Sequence, residues 1–246
     1  MDRLKDKVCI ITGTNSGIGR AAAYLFCAEG AKVVMAGRRE ERGREIEADL
    51  RSKGYEADFV RTDISKEEDI NALVDFTVQK YGRIDVLVNN AAKGGHLHYM
   101  AHELTDETMY AFIETNLLGA VRLVRRVAPY MLERKKGSIV NVASVAAELG
   151  VHEDCMYGAT KGAIRQYTKA VAVDYAKLGV RVNCVLPGLT KTEMSGEVSD
   201  DIMPNVPIGR MAQPEEIANG ILFLASDEAS FCVGMSMIID GGETIN

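Results

Sequence analysis

Val8-Cys-Ile-Ile-Thr12-Gly13-Thr14-Asn15-Ser16-Gly17-Ile18-Gly19 runs from an apolar, β-branched segment straight into a glycine turn, and a helix-compatible stretch, Ile18–Glu29, follows. A run such as Val-Cys-Ile-Ile, apolar at successive positions, suits a strand buried on both faces, as strands of parallel sheets are. Gly13 permits a tight turn, Gly17 lets backbone approach a pyrophosphate, and Gly19 lets the helix pack close on the strand. A phosphate would then sit against the N–H groups that open the helix. Three residues separate the first two glycines, a different spacing from G-x-G-x-x-G. No Lys-Ser/Thr follows the glycines, which speaks against a triphosphate-cleaving loop.

The same alternation continues along the chain. Strands are predicted at Val8–Thr12, Lys32–Ala36, Ala57–Arg61, Ile84–Asn89, Ser138–Ala143, Val180–Val185 and Met235–Asp240. Between them lie runs of helical periodicity at Ile18–Glu29, Glu40–Lys53, Lys66–Tyr81, Asp106–Glu133 and Pro214–Ser226, with another from Tyr157 through Lys177. This order predicts an α/β fold in which one doubly wound parallel sheet of about seven strands carries helices on both faces, with ligands at the carboxyl ends of the strands. At 246 residues, with neither linker nor repeat, the expectation is a single domain over 1–246. The longest irregular regions, Ala91–Thr105 and Pro187–Gln213, both follow strands, and loops of that length in a compact domain are usually functional.

Composition narrows the function classes. A formal net charge of −6 with dispersed Lys and Arg speaks against nucleic acid or acidic membrane as a partner. No apolar run approaches the ~20 residues a bilayer span needs. Met1-Asp-Arg-Leu-Lys-Asp-Lys leads directly into the first strand, so no secretory signal is expected. The five scattered cysteines, Cys9, Cys27, Cys155, Cys184 and Cys232, form neither a disulfide framework nor a zinc spacing. A reducing cytoplasm is the expected location. Cys155 is read as passive, although it lies two residues before Tyr157. His96, His98 and His102 lack the carboxylates or thiols that would complete a metal site, so no metal is expected and they are read as loop or substrate-pocket residues.

Several polar residues fall at the carboxyl edge of the predicted sheet. The second strand ends in Ala36-Gly37-Arg38-Arg39, where a dinucleotide site selective for the unphosphorylated ribose carries an acid. Glycine followed by two arginines suits a 2′-phosphate instead, so NADP(H) is expected over NAD(H). Ser16, small and uncharged, offers no further cation. Asp63 closes the third strand, and Asn89-Asn90-Ala91-Ala92 closes the fourth; alone, either would pass for a turn or a cap. Asn116 sits inside Ile113-Glu-Thr-Asn-Leu-Leu, where helix propensity does not favour asparagine, and Ser144 follows the fifth strand. Thirteen residues after Ser144 comes Tyr157-Gly158-Ala159-Thr160-Lys161, a phenol and an ammonium one helical turn apart. A cation held beside a phenol favours the phenolate, so such a pair can exchange a proton nearer to neutral pH than the usual ~10 of tyrosine.

Taken together, Thr12-Gly-x-x-x-Gly-x-Gly19, Asn89-Asn-Ala-Ala92, Asn116, Ser144, Tyr157-x-x-x-Lys161, Pro187-Gly188 with Thr192, and Asp240-Gly-Gly242 make the chain resemble a short-chain dehydrogenase/reductase from about Leu4 to Gly242. The resemblance implies a Rossmann-like fold and hydride exchange between a nicotinamide cofactor and a ketone or secondary alcohol. It implies Tyr157 as general acid/base, Lys161 as its electrostatic partner and ribose ligand, and Ser144 as a hydrogen-bond donor to the substrate oxygen. Asn116 would hold a water in a proton relay. The dinucleotide would run along Gly13, Asn15, Ser16, Gly17, Ile18 and Gly19, with Arg38 and Arg39 at its phosphate. Asp63 and Ile64 would lie at adenine, Asn89 and Ala91 at the adenosine ribose, and Pro187, Gly188, Thr190 and Thr192 at the carboxamide. Ala92 departs from the family's common Asn-Asn-Ala-Gly, which shifts fine geometry beside the cofactor.

Residues 187–213, with Met194, Met203 and Met211 and with Gly196 and Gly209 as hinges, would form the substrate loop, and Glu148, Val151 and His152 the opposite wall. The substrate classes carried forward are a hydroxysteroid or bile acid, a 3-oxoacyl thioester, and a sugar or polyol. Lys93–Met100 does not resemble the Arg-Asp-x-Leu element usual in acyl-carrier-protein reductases, which lowers the thioester reading. The family implies a homo-oligomer, tetramer or dimer. A non-catalytic, nicotinamide-sensing regulatory module is the alternative, and loss of Tyr157, Lys161 or Ser144 would have favoured it.

Overall fold

The computed structural model describes residues 2–94, 99–196 and 205–245. Seven parallel strands form one sheet: β1 (Val8–Thr12), β2 (Lys32–Gly37), β3 (Ala57–Arg61), β4 (Val86–Asn89), β5 (Gly137–Val142), β6 (Val180–Pro187) and β7 (Ser236–Ile239). Their order across the sheet is β3-β2-β1-β4-β5-β6-β7, so the winding reverses between β1 and β4. Register is continuous there, with Thr12 beside Ala36 on one side and Ile11 beside Val88 on the other. A crevice opens at the carboxyl ends of the strands at such a reversal.

The helices are α1 (Gly17–Ala28), α2 (Glu40–Ser52), α3 (Glu67–Tyr81), α4 (Asp106–Phe112), α5 (Gly119–Glu133), α6 (Cys155–Tyr175) and α7 (Pro214–Ala225). Alternate strand residues point to opposite faces. Cys9, Ile11, Val33 and Met35 therefore pack with Phe26 of α1, Leu50 of α2 and Ile221 of α7. Ile10, Val34 and Leu87 pack on the other side with Leu73 of α3, Leu123 of α5 and Val171 of α6. Burying a side chain such as Leu123 contributes about 1.5–3 kcal/mol, and truncating it would also leave a void. Local signals set the ends of the helices. Gly82 ends α3 in the left-handed region at φ 73°, and Pro214 opens α7 behind a Gln213 amide that donates to Glu216 Oε2 at 2.8 Å.

The predicted strands appear within two residues of their expected bounds. The predicted helix over Asp106–Glu133 is helical throughout, but not regular. It is divided into α4 and α5 by a π turn at Ile113–Leu118, a widened turn that recurs at functional sites. Among the described residues, no helix is long and apolar enough to cross a membrane.

Candidate active site

A cavity of about 540 Å³ lies along the carboxyl edge and is lined from Arg38 and Arg39, past Gly13, Asn15, Ser16, Gly17 and Ile18, to Ser144, Tyr157, Lys161 and Pro187–Thr190. At one end the glycine turn leaves no room for side chains. Gly13 takes φ 73°, and a Cβ there would stand 2.8 Å from both Ala91 Cα and Asn90 Nδ2. A Cβ on Gly19 would overlap the Gly13 carbonyl. Asn90, for which the motifs predict no role, stitches the reversal together: its Nδ2 donates to the Thr12 carbonyl at 2.8 Å, and its amide donates to Thr12 Oγ1 at 3.1 Å. The Ala91 amide donates to the same hydroxyl at 3.0 Å. Asn89 is turned into the sheet instead, where its Nδ2 donates to Asn141 Oδ1 at 2.8 Å. Its Oδ1 is buried with no partner among the described residues.

The end of β2 accounts for the missing acid. Asn15 spans the turn, accepting from the Arg39 amide at 3.2 Å through Oδ1 and donating to the Arg39 carbonyl at 3.0 Å through Nδ2. A Cβ on Gly37 would overlap Asn15 Oδ1, so an aspartate or glutamate does not fit there beside Asn15. Arg38 faces the cavity, and its charge acts on Asp63. Burial alone would raise the Asp63 carboxyl, but hydrogen bonds from Ser65 and the Arg38 charge more than offset it and hold the group below its ordinary value. Arg39 donates to Ser16 Oγ at 3.1 Å and to Glu193 Oε2 at 2.9 Å. Asp63 and Ile64 line the cavity next to Thr62.

At the other end, the N-terminal turn of α6 brings Tyr157 to the wall of the cavity beside Ser144. Ser144 Oγ accepts from the Ala146 amide at 3.1 Å. The Lys161 ammonium is enclosed, donates to the Val142 carbonyl at 2.8 Å, and lies 5.5 Å from the centre of the Tyr157 ring. Burial pushes the Tyr157 phenol up to about 12, against a hydrogen bond from Ser144 that pulls it down. Burial pushes Lys161 down to about 8. For the Tyr157 phenol burial is the largest influence, with Ser144 and Asp154 the others. Desolvation is the largest influence on Lys161 as well.

Asn116 lies in the π turn and is buried. Its Oδ1 accepts from the Lys93 amide at 2.7 Å, while Nδ2 donates to the Lys93 carbonyl at 3.1 Å and to Thr160 Oγ1 at 3.3 Å. Thr160 in turn donates to the Tyr157 carbonyl at 2.8 Å. The side chain thus clamps the segment after β4 to the second turn of α6, just past Tyr157.

The segment after β6 closes the cavity. The Gly188 amide donates to the Ile239 carbonyl at 3.0 Å, and Thr190 Oγ1 donates to the Gly188 carbonyl at 2.9 Å. Thr192 packs against Gly17, where a Cβ would come within 2.9 Å of its methyl. Met194 lies over Gly94 and lines the cavity with Val151. Glu148 pairs with Arg165 at 2.6 Å, and His152 is exposed beside Glu153, so of the three residues expected on the opposite wall only Val151 reaches it. Glu243, also unforeseen, lines the cavity beside Gly188; burial raises its carboxyl, and Oε2 has no partner among the described residues. His102 and Cys155 are exposed, while His96, His98 and Met203 lie outside the described residues. No group of His, Cys, Asp and Glu among the described residues could hold a metal ion.

A family model described as enoyl-(acyl carrier protein) reductase matches residues 13–244. The chain is 38% identical to the L-fucose dehydrogenase of Oryctolagus cuniculus, over 98% of this chain and 86% of that protein. It is also 38% identical to the 3-oxoacyl-(acyl-carrier-protein) reductase FabG of Thermotoga maritima, over 99% of this chain and all of that one (100%). Among solved structures, a single-substitution variant of the actinorhodin polyketide ketoreductase with NADPH superposes with a TM-score of 0.93 at 36% identity, covering 100% of both chains.

Proposed function

The chain belongs to the short-chain dehydrogenase/reductase family, and we propose that it moves a hydride between NADP(H) and a small-molecule ketone or secondary alcohol. The observation that carries this reading is the convergence of Tyr157, Ser144 and Lys161 on the cavity that also holds the glycine turn. Its volume of about 540 Å³ lies within the range of sites that enclose a small ligand. The turn from Gly13 to Ile18 lines the cavity where α1 opens, which suits a pyrophosphate, so the residues present fit a nicotinamide dinucleotide.

The cofactor, when bound, supplies or accepts the hydride. Tyr157 donates its phenolic proton to the carbonyl oxygen during reduction and recovers it during oxidation. Ser144 donates a hydrogen bond to the same oxygen and stabilises the charge that develops there. Lys161, enclosed one turn along α6, supplies positive charge beneath the ring and a donor for ribose hydroxyls. Asn116 holds the backbone of Lys93 against α6 and so keeps the tyrosine turn in position for a water-borne proton path. Arg38 and Arg39 receive a 2′-phosphate, since Gly37 leaves no place for a ribose-binding acid.

Fucose, cyclopentanol and 3-oxoacyl groups, named for relatives of this chain, all present a secondary alcohol or its ketone, which supports the reaction class. Val151, Met194 and Leu189 give the substrate end of the cavity an apolar lining, as suits a hydroxysteroid or an acyl chain. The 187–213 segment acts as the substrate loop. Exposed Phe231, Val233 and Ile238 around β7 suit association into a dimer or tetramer. Ketone reduction by the wild type and by Arg38→Ala, assayed with NADPH and with NADH, tests the reading. The expected result is turnover with NADPH, and about a tenfold rise in KM for NADPH alone in the variant. Use of NADH alone, or equal changes for both cofactors, would reject the 2′-phosphate role.

A further inference from the structure

We propose that Glu193 is a built-in counter-anion of the arginines at the adenosine end of the cavity, so that a 2′-phosphate must compete with it for Arg39 and Arg42. The proposal rests on the NADP(H) reading above. Both branches of the Arg39 fork are already engaged, Nη1 by Glu193 Oε2 at 2.9 Å and Nη2 by Ser16 Oγ at 3.1 Å. The second Glu193 oxygen, Oε1, pairs with Arg42 on the first turn of α2. Hydrogen bonds from Arg39 and Arg42 hold the Glu193 carboxyl below its ordinary range, so the competitor is an anion at neutral pH, where a phosphate is one as well.

The carboxylate does not hang from a loose strand. Its neighbour Thr192 packs on Gly17, and Thr192 and Ser195 bond each other three times, at 2.9, 3.1 and 3.3 Å. The backbone that carries Glu193 is therefore fixed to the phosphate turn itself. All three charged side chains remain part-exposed, at 50% for Arg39, 37% for Arg42 and 47% for Glu193. Solvent screens the pairs, which makes them displaceable. When the ribose carries no phosphate, Glu193 stays in place and neutralises both arginines, so the same site accepts either dinucleotide. When the phosphate is present, the carboxylate and the phosphate contend for the same donors, and the preference for the phosphorylated form is blunted.

The test is a calorimetric titration of wild type and Glu193→Gln with 2′,5′-ADP and with 5′-AMP. Unit charges about 4 Å apart in water repel by roughly the free energy of a fivefold change in binding. Glu193→Gln is therefore expected to bind 2′,5′-ADP about fivefold more tightly and 5′-AMP unchanged. An unchanged or weaker affinity for 2′,5′-ADP in the variant would overturn the proposal, as would an equal gain for both nucleotides. The NADP(H) reading stands or falls separately, on whether the wild type itself prefers 2′,5′-ADP. A wild type that prefers 2′,5′-ADP but whose variant gains nothing removes the Glu193 proposal and keeps that reading.

Discussion

At the amino ends of the strands, Asp85 accepts from the Val8 amide at 2.8 Å, from Arg83 at 2.9 Å and from Arg134 at 2.8 Å. Arg181 nearby donates to the Leu224 and Ser226 carbonyls, both at 2.9 Å, and Lys7 reaches Asp227 at 2.6 Å. Burial would raise the Asp85 carboxyl, yet its partners hold it below the ordinary carboxylate range. At the carboxyl ends Asp63 is held low in the same way, but around Tyr157 the balance reverses. Burial pushes Tyr157 up to about 12 and Lys161 down to about 8, it raises Glu243, and buried oxygens of Asn89 and Glu243 lack a partner among the described residues. The Asp85 cluster completes its polar groups, whereas several groups around Tyr157 and Glu243 are left short. Buried charge with a full set of partners serves the fold, whereas buried groups driven toward their neutral forms mark where a ligand would finish the set.

Substitutions on the two edges should therefore divide cleanly. The largest effect is expected for Tyr157→Phe, a loss of roughly a thousandfold in kcat with the thermal midpoint unmoved, as general acid/base groups contribute 10²–10⁴-fold. Near-full activity in steady-state assays would sink the role of the phenol. Next comes Asp85→Ala at the opposite edge, which strands two arginines. The buried Val8 amide also loses its acceptor, so about 2 kcal/mol of stability should disappear in urea titrations, with kcat per folded molecule unchanged. Reduced turnover without destabilisation would break the comparison between the edges.

The smallest effect is a pH dependence that belongs to Lys161. Its folded value near 8 lies below the ~10.4 of an unfolded lysine, so between those values the unfolded chain binds more protons. Stability relative to Lys161→Met should therefore rise as pH climbs from about 8 toward 10, and stay flat below that window. Urea midpoints of both proteins at several pH values read this directly, and parallel curves would show that the ammonium is not desolvated in the folded state.

Much of this contrast was legible in the chain. Val8–Thr12 declared itself because a strand covered on both faces must be apolar at every position, and the glycines because the turn behind it excludes side chains. Tyr157 and Lys161 were legible as a pair since helical spacing alone puts them on one face. What lay hidden depended on segments distant in sequence. Glu193 and Glu243 look like ordinary solvated charges until the β6 loop brings one to Arg39 and the segment after β7 brings the other to Gly188. The depressed lysine likewise depends on the Val142 carbonyl and its enclosure, neither of which spacing reveals. For the π turn there was one signal, Asn116 in an otherwise regular helical pattern, which propensity marks as out of place but cannot convert into a geometry.

That turn makes helical continuity and site geometry mutually exclusive. Each α-helical residue advances the chain by about 100° around the axis, so one residue more or fewer sets the two halves out of phase by that angle. An unbroken α-helix from Asp106 to Glu133 would keep α5 on the sheet only by swinging α4 around its axis, or the reverse. Asn116 would then leave Lys93 and Thr160, and the segment after β4 would lose its hold on α6. The phase error is thus a piece of stored positional information, kept because the tertiary contacts on both sides of it agree on where Asn116 must point.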